Sequence, residues 1–275
     1  MAEPVATKGK ALVTGASGVL GRHLVDTLQA QQPHTPLVAL ARANTHWGDD
    51  WQKPANLSAL DGSLFTPEAW QNNPQLHHLQ GIFHLAGAVQ HTPKGSEPMW
   101  RTNVDGTLAM VRLAAAKKCR LIVLSTSGAI ASFKTPTQRA DESGAFCLDT
   151  AGKLPYYASK IAMEQQARTL ATELGVELIF IRPPVMLGPG DHRFRSTEKI
   201  LKLLRGKLPF LLRGGMHFID IRDAAAAIVR AMTHPAPQPA YNLGGSAAQG
   251  NVCSIDAFYR ACAAEAGMTP RWRIL

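Results

Sequence analysis

The sequence predicts an α/β protein whose core is a doubly wound parallel sheet. One observation is the alternation of short apolar runs with longer helical stretches, which is typical of strand–helix–strand units. The other is the segment TGASGVLG, where Gly15, Gly18 and Gly21 follow an apolar run and precede a helical pattern. A chain of 275 residues suits one large domain, or a core domain with a smaller lobe.

The predicted elements follow one another in the order that such a sheet requires. Apolar, β-rich runs are predicted as strands, and stretches with apolar residues at helical spacing are predicted as helices. Gly175 is expected to end the last of these helices. The predicted strands are KALVTG, TPLVALAR, GIFHLAGA, RLIVLSTSG and VELIFIRPP, and the predicted helices are GVLGRHLVDTLQAQ, MWRTNVDGTLAMVRLAAAKK and YYASKIAMEQQARTLATEL.

Composition and charge exclude several classes of protein. The net charge is +9, from 29 basic and 20 acidic residues. The densest basic segments, AAAKKCR and KILKLLRGK, have apolar residues at helical spacing, so we interpret them as solvated helix faces. No apolar run has the length of a membrane span, and the first ten residues lack the apolar core of a signal peptide. We therefore expect a cytoplasmic protein with no nucleic-acid or membrane partner.

Cysteine and histidine usage predicts neither disulfides nor a metal site. The four cysteines lie far apart and include no C-x-x-C pair, so we expect them to be reduced. The ten histidines are dispersed, and none has the spacing of a metal-binding motif.

The glycine-rich segment has the features of a phosphate cradle. Gly15 permits a tight turn, Gly18 lets the backbone approach a pyrophosphate, and Gly21 lets helix and strand pack closely. The start of the following helix supplies free N–H groups and the positive end of a dipole. This pattern predicts a Rossmann-type dinucleotide site with contacts from Gly15, Ser17, Gly18, Val19, Leu20 and Gly21.

The end of the second strand predicts which dinucleotide binds. An NAD-binding protein usually carries an acid there for the ribose hydroxyls. The strand LVALAR instead ends in Arg42, with no Asp or Glu beside it. A guanidinium can bind a 2′-phosphate through paired, charge-assisted hydrogen bonds. We therefore predict NADP(H) in preference to NAD(H).

The segment PYYASKIAME contains a candidate acid–base pair. Tyr156 and Lys160 are four residues apart and share a face of the predicted helix, whereas Tyr157 is only three residues from Lys160. A nearby ammonium is expected to lower the pKa of the tyrosine. Upstream, Ser125, Thr126 and Ser127 end a strand, where a hydroxyl can polarise a carbonyl oxygen of a substrate.

The motifs in their order resemble those of the extended short-chain dehydrogenases/reductases, the NAD-dependent epimerase/dehydratase superfamily. TGASGVLG resembles the family's T-G-x-x-G-x-x-G, FHLAGA its H-x-A-[AG] strand, and NVDGT its N-x-x-G-T helix. PYYASKIAME resembles P-Y-x-x-S-K-x-x-x-E, and IRPPVMLGPGD resembles the R-P-x-x-x-x-G-P-G-D loop. Among the branches, the chain is most similar in character to dihydroflavonol reductases and 3β-hydroxysteroid dehydrogenases.

The resemblance implies roles for individual residues. Ser127 would hold the substrate oxygen, Tyr156 would be the general acid or base, Lys160 would tune it, and Asn103 would anchor the site. The implied cofactor contacts outside the glycine turn are Leu85, Ala86, Gly87, Ala88, Tyr156, Lys160, Pro183 and Val185.

One position departs from the family pattern. The family usually has Gly-Asp and an apolar residue after the third strand, and its Asp contacts adenine. Here the run LDGSLF places Ser63 at the position of that Asp, followed by Leu64. Ser63 can still hydrogen-bond adenine, and Asp61 could replace it only if the loop shifts.

Two regions are predicted along the chain. Residues 1–182 are predicted as the Rossmann-type domain, and residues 183–275 mainly as a smaller substrate lobe, with segments at about 216–244 returning to the core. The chain is short for the resembled family, so part of the usual lobe is expected to be missing. Related folds often dimerise through helical faces such as residues 97–118 and 156–174, so we expect a homodimer.

Three functions are consistent with the sequence. The first is an NADP(H)-dependent reductase or dehydrogenase that interconverts a carbonyl and an alcohol on a small substrate. The apolar KLPFLL segment would suit a hydrophobic substrate. The second is a nucleotide-sugar epimerase or dehydratase with tightly held NAD, in which Arg193, Arg195 and Arg213 could bind a diphosphate. The third is a non-catalytic cofactor-sensing protein, although such proteins typically lose the tyrosine or the lysine. We prefer the first.

Overall fold

The computed structural model describes residues 9–135, 137–192, 194, 196–244, 252–269 and 272–275. None of the helices in these ranges is long and apolar enough to cross a membrane. The strands are β1 (Lys10–Thr14), β2 (Leu37–Ala41), β3 (Leu57–Asp61), β4 (Leu79–His84), β5 (Arg120–Leu124), β6 (Leu178–Arg182), β7 (Val185–Leu187), β8 (Phe210–Leu211), β9 (Gly215–Asp220), β10 (Ala240–Asn242), β11 (Val252–Ser254) and β12 (Arg273–Ile274). The α-helices are α1 (Val19–Gln31), α2 (Glu97–Trp100), α3 (Gly106–Lys117), α4 (Pro155–Leu174), α5 (Glu198–Leu204), α6 (Ile221–Thr233) and α7 (Ile255–Glu265).

Seven parallel strands form the central sheet in the order β10-β6-β5-β4-β1-β2-β3. This arrangement confirms the predicted doubly wound α/β fold. β1 lies between β4 and β2, so the order of the strands reverses beside it. In such sheets, ligands bind outside the carboxyl ends of the strands at the point of reversal.

Helices cover both faces of this sheet. Leu12 and Val13 in β1 are both fully buried, and they belong to apolar clusters on opposite faces. On the face of Val13, residues of α1 and α6 complete the cluster. On the face of Leu12, residues of α3 and α4 do so. Because both faces are buried, β1 is continuously apolar rather than alternating.

The segment after β4 departs from the predicted single helix. α2 and α3 are separated by a π-helical turn at Arg101–Asp105. Such turns are rare and frequently occur at functional sites. Here the turn contains Asn103, whose side chain is fully buried. Hydrophobic periodicity does not distinguish one widened turn within a helix, so the sequence did not predict it.

The later part of the chain builds two smaller sheets. β7 pairs with β9, β9 pairs with β11, and β12 pairs with β8. α5 and α7 pack against each other over a small apolar cluster that contains Leu203, Leu211 and Tyr259. Of the segments predicted to return to the core, β10 joins the large sheet and α6 packs on α1, whereas β9 lies in the three-stranded sheet. The division into two functional domains stays a prediction.

Candidate active site

The glycine turn between β1 and α1 has the geometry of a phosphate cradle. Gly15 has φ +72°, and a Cβ there would lie 2.7 Å from the backbone nitrogen of Ala86. A Cβ on Gly21 would collide with the Gly15 carbonyl oxygen. α1 begins after Gly18 with no side-chain cap, so the N–H groups of its first turn remain available to an anion. These residues fit a dinucleotide pyrophosphate.

Three further residues of this segment were predicted to contact the cofactor. Ser17 and Val19 are half-buried. The side chain of Leu20 packs in the core and is 6% exposed, so only its backbone can face a ligand. The sequence pattern cannot separate backbone from side-chain contacts, because both need only the same position in the turn.

Arg42 follows β2 directly, beside the glycine turn. In the register of the sheet, Leu40 of β2 pairs with Thr14 of β1, so Arg42 lies at the same edge as Gly15. Its side chain is exposed, and no residue in the described part of the chain accepts a hydrogen bond from it or forms an ion pair with it. The guanidinium is therefore available for a ligand.

The loop after β3 contains Ser63, the residue predicted to contact adenine. Asp61 is the last residue of β3 and pairs with Ala41 of β2. The Ser63 hydroxyl accepts a hydrogen bond from the Phe65 amide at 3.2 Å, which leaves its own hydrogen free to donate. Leu64 is half-buried and contacts α3 at Gly106.

Helix α4 brings Tyr156 and Lys160 to the carboxyl end of β5. The Lys160 ammonium donates a hydrogen bond to the Leu124 carbonyl oxygen at 2.8 Å. The neighbouring Tyr157 ring instead covers Gly128, where an added Cβ would collide with it. Tyr156 and Lys160 therefore share the face of α4 that meets the end of β5.

The three hydroxyl residues after β5 occupy different environments. Thr126 is half-buried, and its hydroxyl accepts a hydrogen bond from the Gly128 amide at 3.3 Å. Ser125 is 3% exposed, and its hydroxyl has no hydrogen-bond partner among the described residues. Ser127 is half-buried, and its amide donates to the Pro183 carbonyl oxygen at 2.9 Å. The role of Ser127 stays a prediction.

The pKa of Tyr156 differs from the sequence-based expectation. Burial raises the pKa of the Tyr156 hydroxyl, the neighbouring Tyr157 raises it further, and the hydrogen bond with Thr126 only partly opposes them. The expected lowering of this pKa by Lys160 is wrong for this structure, because burial has the largest effect on the hydroxyl. Burial also lowers the pKa of Lys160 to about 8, against an opposing effect of Glu164.

Asn103 joins the segment after β4 to α4. Its side-chain oxygen accepts from the Ala88 amide at 2.9 Å, and its side-chain nitrogen donates to the Ala88 carbonyl at 3.0 Å and to the Ser159 hydroxyl at 2.9 Å. A Cβ on Gly87 would lie 3.4 Å from both the Asn103 oxygen and the Lys160 nitrogen. The stretch around Gly87 is therefore held directly against Lys160.

The other predicted cofactor contacts border this stretch. Leu85 is a buried core residue whose amide donates to the Thr14 carbonyl oxygen at 3.2 Å, and the Ala86 amide donates to the Thr14 hydroxyl at 3.2 Å. Pro183 is buried and Val185 begins β7 with its side chain half-buried.

Two buried arginines near the site were not predicted from the sequence. Arg182 forms a bidentate pair with Glu164 of α4, with nitrogen–oxygen distances of 2.9 and 2.7 Å, and both side chains are almost fully buried. Arg22 of α1, also buried, bonds to Asp50, to the Gly190 carbonyl and to His192. The pair of Arg182 and Glu164 could have been found from the sequence, because both residues belong to the motifs quoted above.

The arginines predicted to bind a diphosphate give little support to the epimerase interpretation. Arg193 and Arg195 lie outside the described residues. Arg213 is exposed, and its amide donates to the Leu275 carbonyl oxygen at 3.0 Å.

A glycine cradle at the start of α1, with a tyrosine and a lysine of α4 at the end of β5, defines a dinucleotide-dependent enzyme. The chain belongs to the NAD dependent epimerase/dehydratase family, whose model matches residues 11–244. The predicted family resemblance is thereby confirmed.

Several curated relatives are reductases. The chain is 33% identical over 222 residues to a dihydroflavonol 4-reductase-like protein of Synechocystis sp., an alignment that covers 78% of this chain and 60% of the relative. It is 32% identical over 176 residues to cinnamoyl-CoA reductase 1 of Arabidopsis thaliana, which covers 61% of this chain and 50% of that enzyme. The chain thus spans only about half to three-fifths of the length of these two proteins.

Solved structures share the fold at lower identity. The dTDP-glucose 4,6-dehydratase of Bacillus anthracis, in complex with NAD, superposes with a TM-score of 0.80 at 20% identity, covering 97% of this chain and 84% of the other. UDP-glucose 4-epimerase of Thermotoga maritima superposes with a TM-score of 0.79 at 18% identity, covering 97% and 85%. At these identities, the likeness establishes the fold alone.

Proposed function

We propose that the protein is an NADP(H)-dependent reductase or dehydrogenase that interconverts a carbonyl and an alcohol on a small, apolar substrate. The observation that carries the proposal is the pairing of Tyr156 and Lys160 at the end of β5, directly across from the stretch around Gly87. This arrangement gives one ionisable hydroxyl and one ammonium at the edge of the sheet where the glycine turn would hold a dinucleotide.

The dinucleotide, when bound, supplies or accepts hydride at C4 of its nicotinamide. Tyr156 gives the proton to the substrate oxygen in reduction and removes it in oxidation. A hydroxyl at the end of β5, from Ser127 or Thr126, holds that oxygen. Lys160, when its amine is protonated, holds a positive charge beside the tyrosine. Leu85, Ala86, Gly87 and Ala88 border the cofactor.

The preference for NADP(H) rests on Arg42. Its exposed guanidinium has no partner in the described ranges and follows β2 at the edge of the glycine turn. A 2′-phosphate would accept paired, charge-assisted hydrogen bonds from it. The Asp61 carboxylate belongs to β3, the strand after the one that Arg42 follows.

An apolar substrate is supported by the side chains around the site. Val89, next to Ala88, is 47% exposed, and Leu154, two residues before Tyr156, is 48% exposed. The KLPFLL segment is divided: Leu211 is core, whereas Phe210 and Leu212 are exposed. The relatives named for dihydroflavonol, cinnamoyl-CoA and ceramide reduction agree with a reductase.

We further propose that the enzyme is cytoplasmic and acts as a homodimer through the outer faces of α3 and α4. Light scattering coupled to gel filtration tests the assembly, with a mass of twice 29.7 kDa expected for the dimer. A mass equal to that of one chain would contradict the proposed homodimer.

The test of the function begins with the purified protein. After denaturation, any released nucleotide is identified, and nucleotide-free protein is titrated with NADPH and NADH. Exchangeable binding that favours NADPH, followed by NADPH oxidation with a panel of ketones and aldehydes, is expected. Tightly retained NAD, with turnover of nucleotide sugars, would overturn the proposal in favour of an epimerase.

A further inference from the structure

A continuous chain of buried hydrogen bonds connects the glycine turn with α4. His84, the last residue of β4, is 1% exposed and lies between two threonine hydroxyls. Its Nδ1 is 2.7 Å from the Thr14 hydroxyl, and its Nε2 is 3.1 Å from the Thr107 hydroxyl. Neither threonine is more than 1% exposed.

The direction of each bond in this chain follows from the groups at its ends. The Thr107 hydroxyl donates to the Asn103 carbonyl at 2.7 Å, and a carbonyl can only accept. Thr107 must therefore accept from His84, which places the imidazole hydrogen on Nε2. Nδ1 is then the acceptor for the Thr14 hydroxyl, which itself accepts from the Ala86 amide at 3.2 Å. A second imidazole hydrogen would leave the Thr14 hydroxyl without an acceptor in the chain.

The same chain continues to the candidate catalytic helix. Asn103 donates to the Ser159 hydroxyl at 2.9 Å, and Ser159 donates to the Tyr156 carbonyl at 2.7 Å. Asn103 and Ser159 are both fully buried. Each side-chain polar atom in the chain thus has at least one defined partner, and a buried network of this kind is cooperative, because a broken link leaves desolvated groups unpaired.

We propose that His84 is a positioning residue, which holds the glycine turn and the Asn103 turn in one arrangement and so couples dinucleotide binding to the first turn of α4. The inference rests on the proposed function only in assigning Tyr156 to the reaction. His84 does this as a neutral imidazole. Burial lowers its pKa to about 3, and the Lys160 ammonium acts on it in the same direction.

The coupling is tested by a double-mutant cycle on dinucleotide affinity. Thr14→Val and Thr107→Val each remove one hydroxyl with little change of volume, at opposite sides of His84. We expect each to weaken binding by about 3- to 10-fold, and the double variant to be no weaker than the worse single variant, because either break interrupts the same chain. Losses that multiply in the double variant, or unchanged affinity in Thr107→Val, would overturn the proposal.

Conservative variants separate positioning from general destabilisation. Thr107→Ser retains the hydroxyl and should restore the affinity, whereas Ile122→Val, in the fully buried part of β5, should lower stability without changing affinity. Thr172→Val, on an exposed part of α4, controls for the substitution itself. Nitrogen NMR of the imidazole should show hydrogen on Nε2 alone. A hydrogen on Nδ1 would contradict the deduced direction.

The cycle is measured with NADPH and NADH in parallel, by quenching of protein fluorescence, and requires no turnover. A failure of the proposed function would appear as a different preferred nucleotide or reaction. A failure of this inference would appear as independent effects of the two threonines with whichever nucleotide binds.

Discussion

Removing the Glu164 carboxylate should destabilise the fold far more than removing any exposed acid. Glu164 of α4 is fully buried and accepts two hydrogen bonds from Arg182 at the end of β6. Arg168 adds a third contact at 3.3 Å. In Glu164→Ala, the Arg182 guanidinium would remain charged within the protein, where its side chain is 3% exposed. It would keep a 3.2 Å hydrogen bond to the Glu142 carbonyl oxygen and its position over the Phe146 ring, 6.0 Å from the ring centroid.

The size of the effect follows from this burial. Breaking a buried ion pair by removing one partner costs about 3–5 kcal/mol, because the remaining charge is desolvated and uncompensated. For a chain of this size, each kcal/mol lowers the midpoint of thermal unfolding by roughly 2–4 °C, so a fall of about 6–20 °C is expected. The control is Glu177→Ala. Glu177 pairs with Arg120 at the surface and is 53% exposed, and exposed pairs contribute about 0–1 kcal/mol.

The assay is urea and thermal unfolding followed by circular dichroism. A double variant, Glu164→Met with Arg182→Met, should recover part of the loss, since apolar residues can replace a buried pair at little cost. If Glu164→Ala and Glu177→Ala unfold at the same midpoint, burial does not make this pair important, and the reasoning fails. The reasoning also fails if the double variant loses as much free energy of unfolding as its two single variants lose together.

Three further predictions concern the chemistry of the site. Tyr156→Phe should reduce turnover by about 10²- to 10⁴-fold with nearly unchanged NADPH affinity, whereas Tyr157→Phe should retain activity; steady-state kinetics would reject the role of Tyr156 if its variant stays active. Arg42→Ala should weaken NADPH binding by about 10- to 100-fold and NADH binding little, and equal losses in the two titrations would count against a 2′-phosphate contact. Because the folded-state pKa of Lys160 is lowered from 10.5 to about 8, the unfolded chain binds more protons between these values. Lys160 therefore makes the free energy of unfolding rise with pH across that window. Lys160→Met should remove this rise in urea unfolding at stepped pH, and parallel curves for the two proteins would contradict it.

The fold was predictable because its signals are local. Helix and strand periods are short, and the glycine turn at residues 14–21 needs only its own spacing to be recognised. The π turn at Arg101–Asp105 was not predictable, because one additional residue in a turn leaves the hydrophobic pattern almost unchanged. In the candidate site, too, the local features were predictable and the long-range contacts were not. Tyr156 and Lys160 could be assigned to one helix face, but not the binding of Lys160 to the Leu124 carbonyl.

The pKa of Tyr156 shows why electrostatics was the weakest part of the prediction. From the sequence, a lysine four residues away is a nearby positive charge. In the structure, desolvation of the hydroxyl dominates, and its magnitude depends on packing from elements that are distant in the chain.

The family motifs in this chain are the paired ends of a few long-range contacts. Thr14 of the glycine segment bonds to His84 of the H-x-A-[AG] strand. Asn103 of the N-x-x-G-T turn bonds to Ser159 of the tyrosine motif, and Glu164 of the same motif bonds to Arg182. Each of these residues stabilises the fold only if its partner is present, because one residue of a pair without the other would leave a buried polar group unpaired. This mutual dependence explains why motifs that are separated by tens of residues occur together in one sequence.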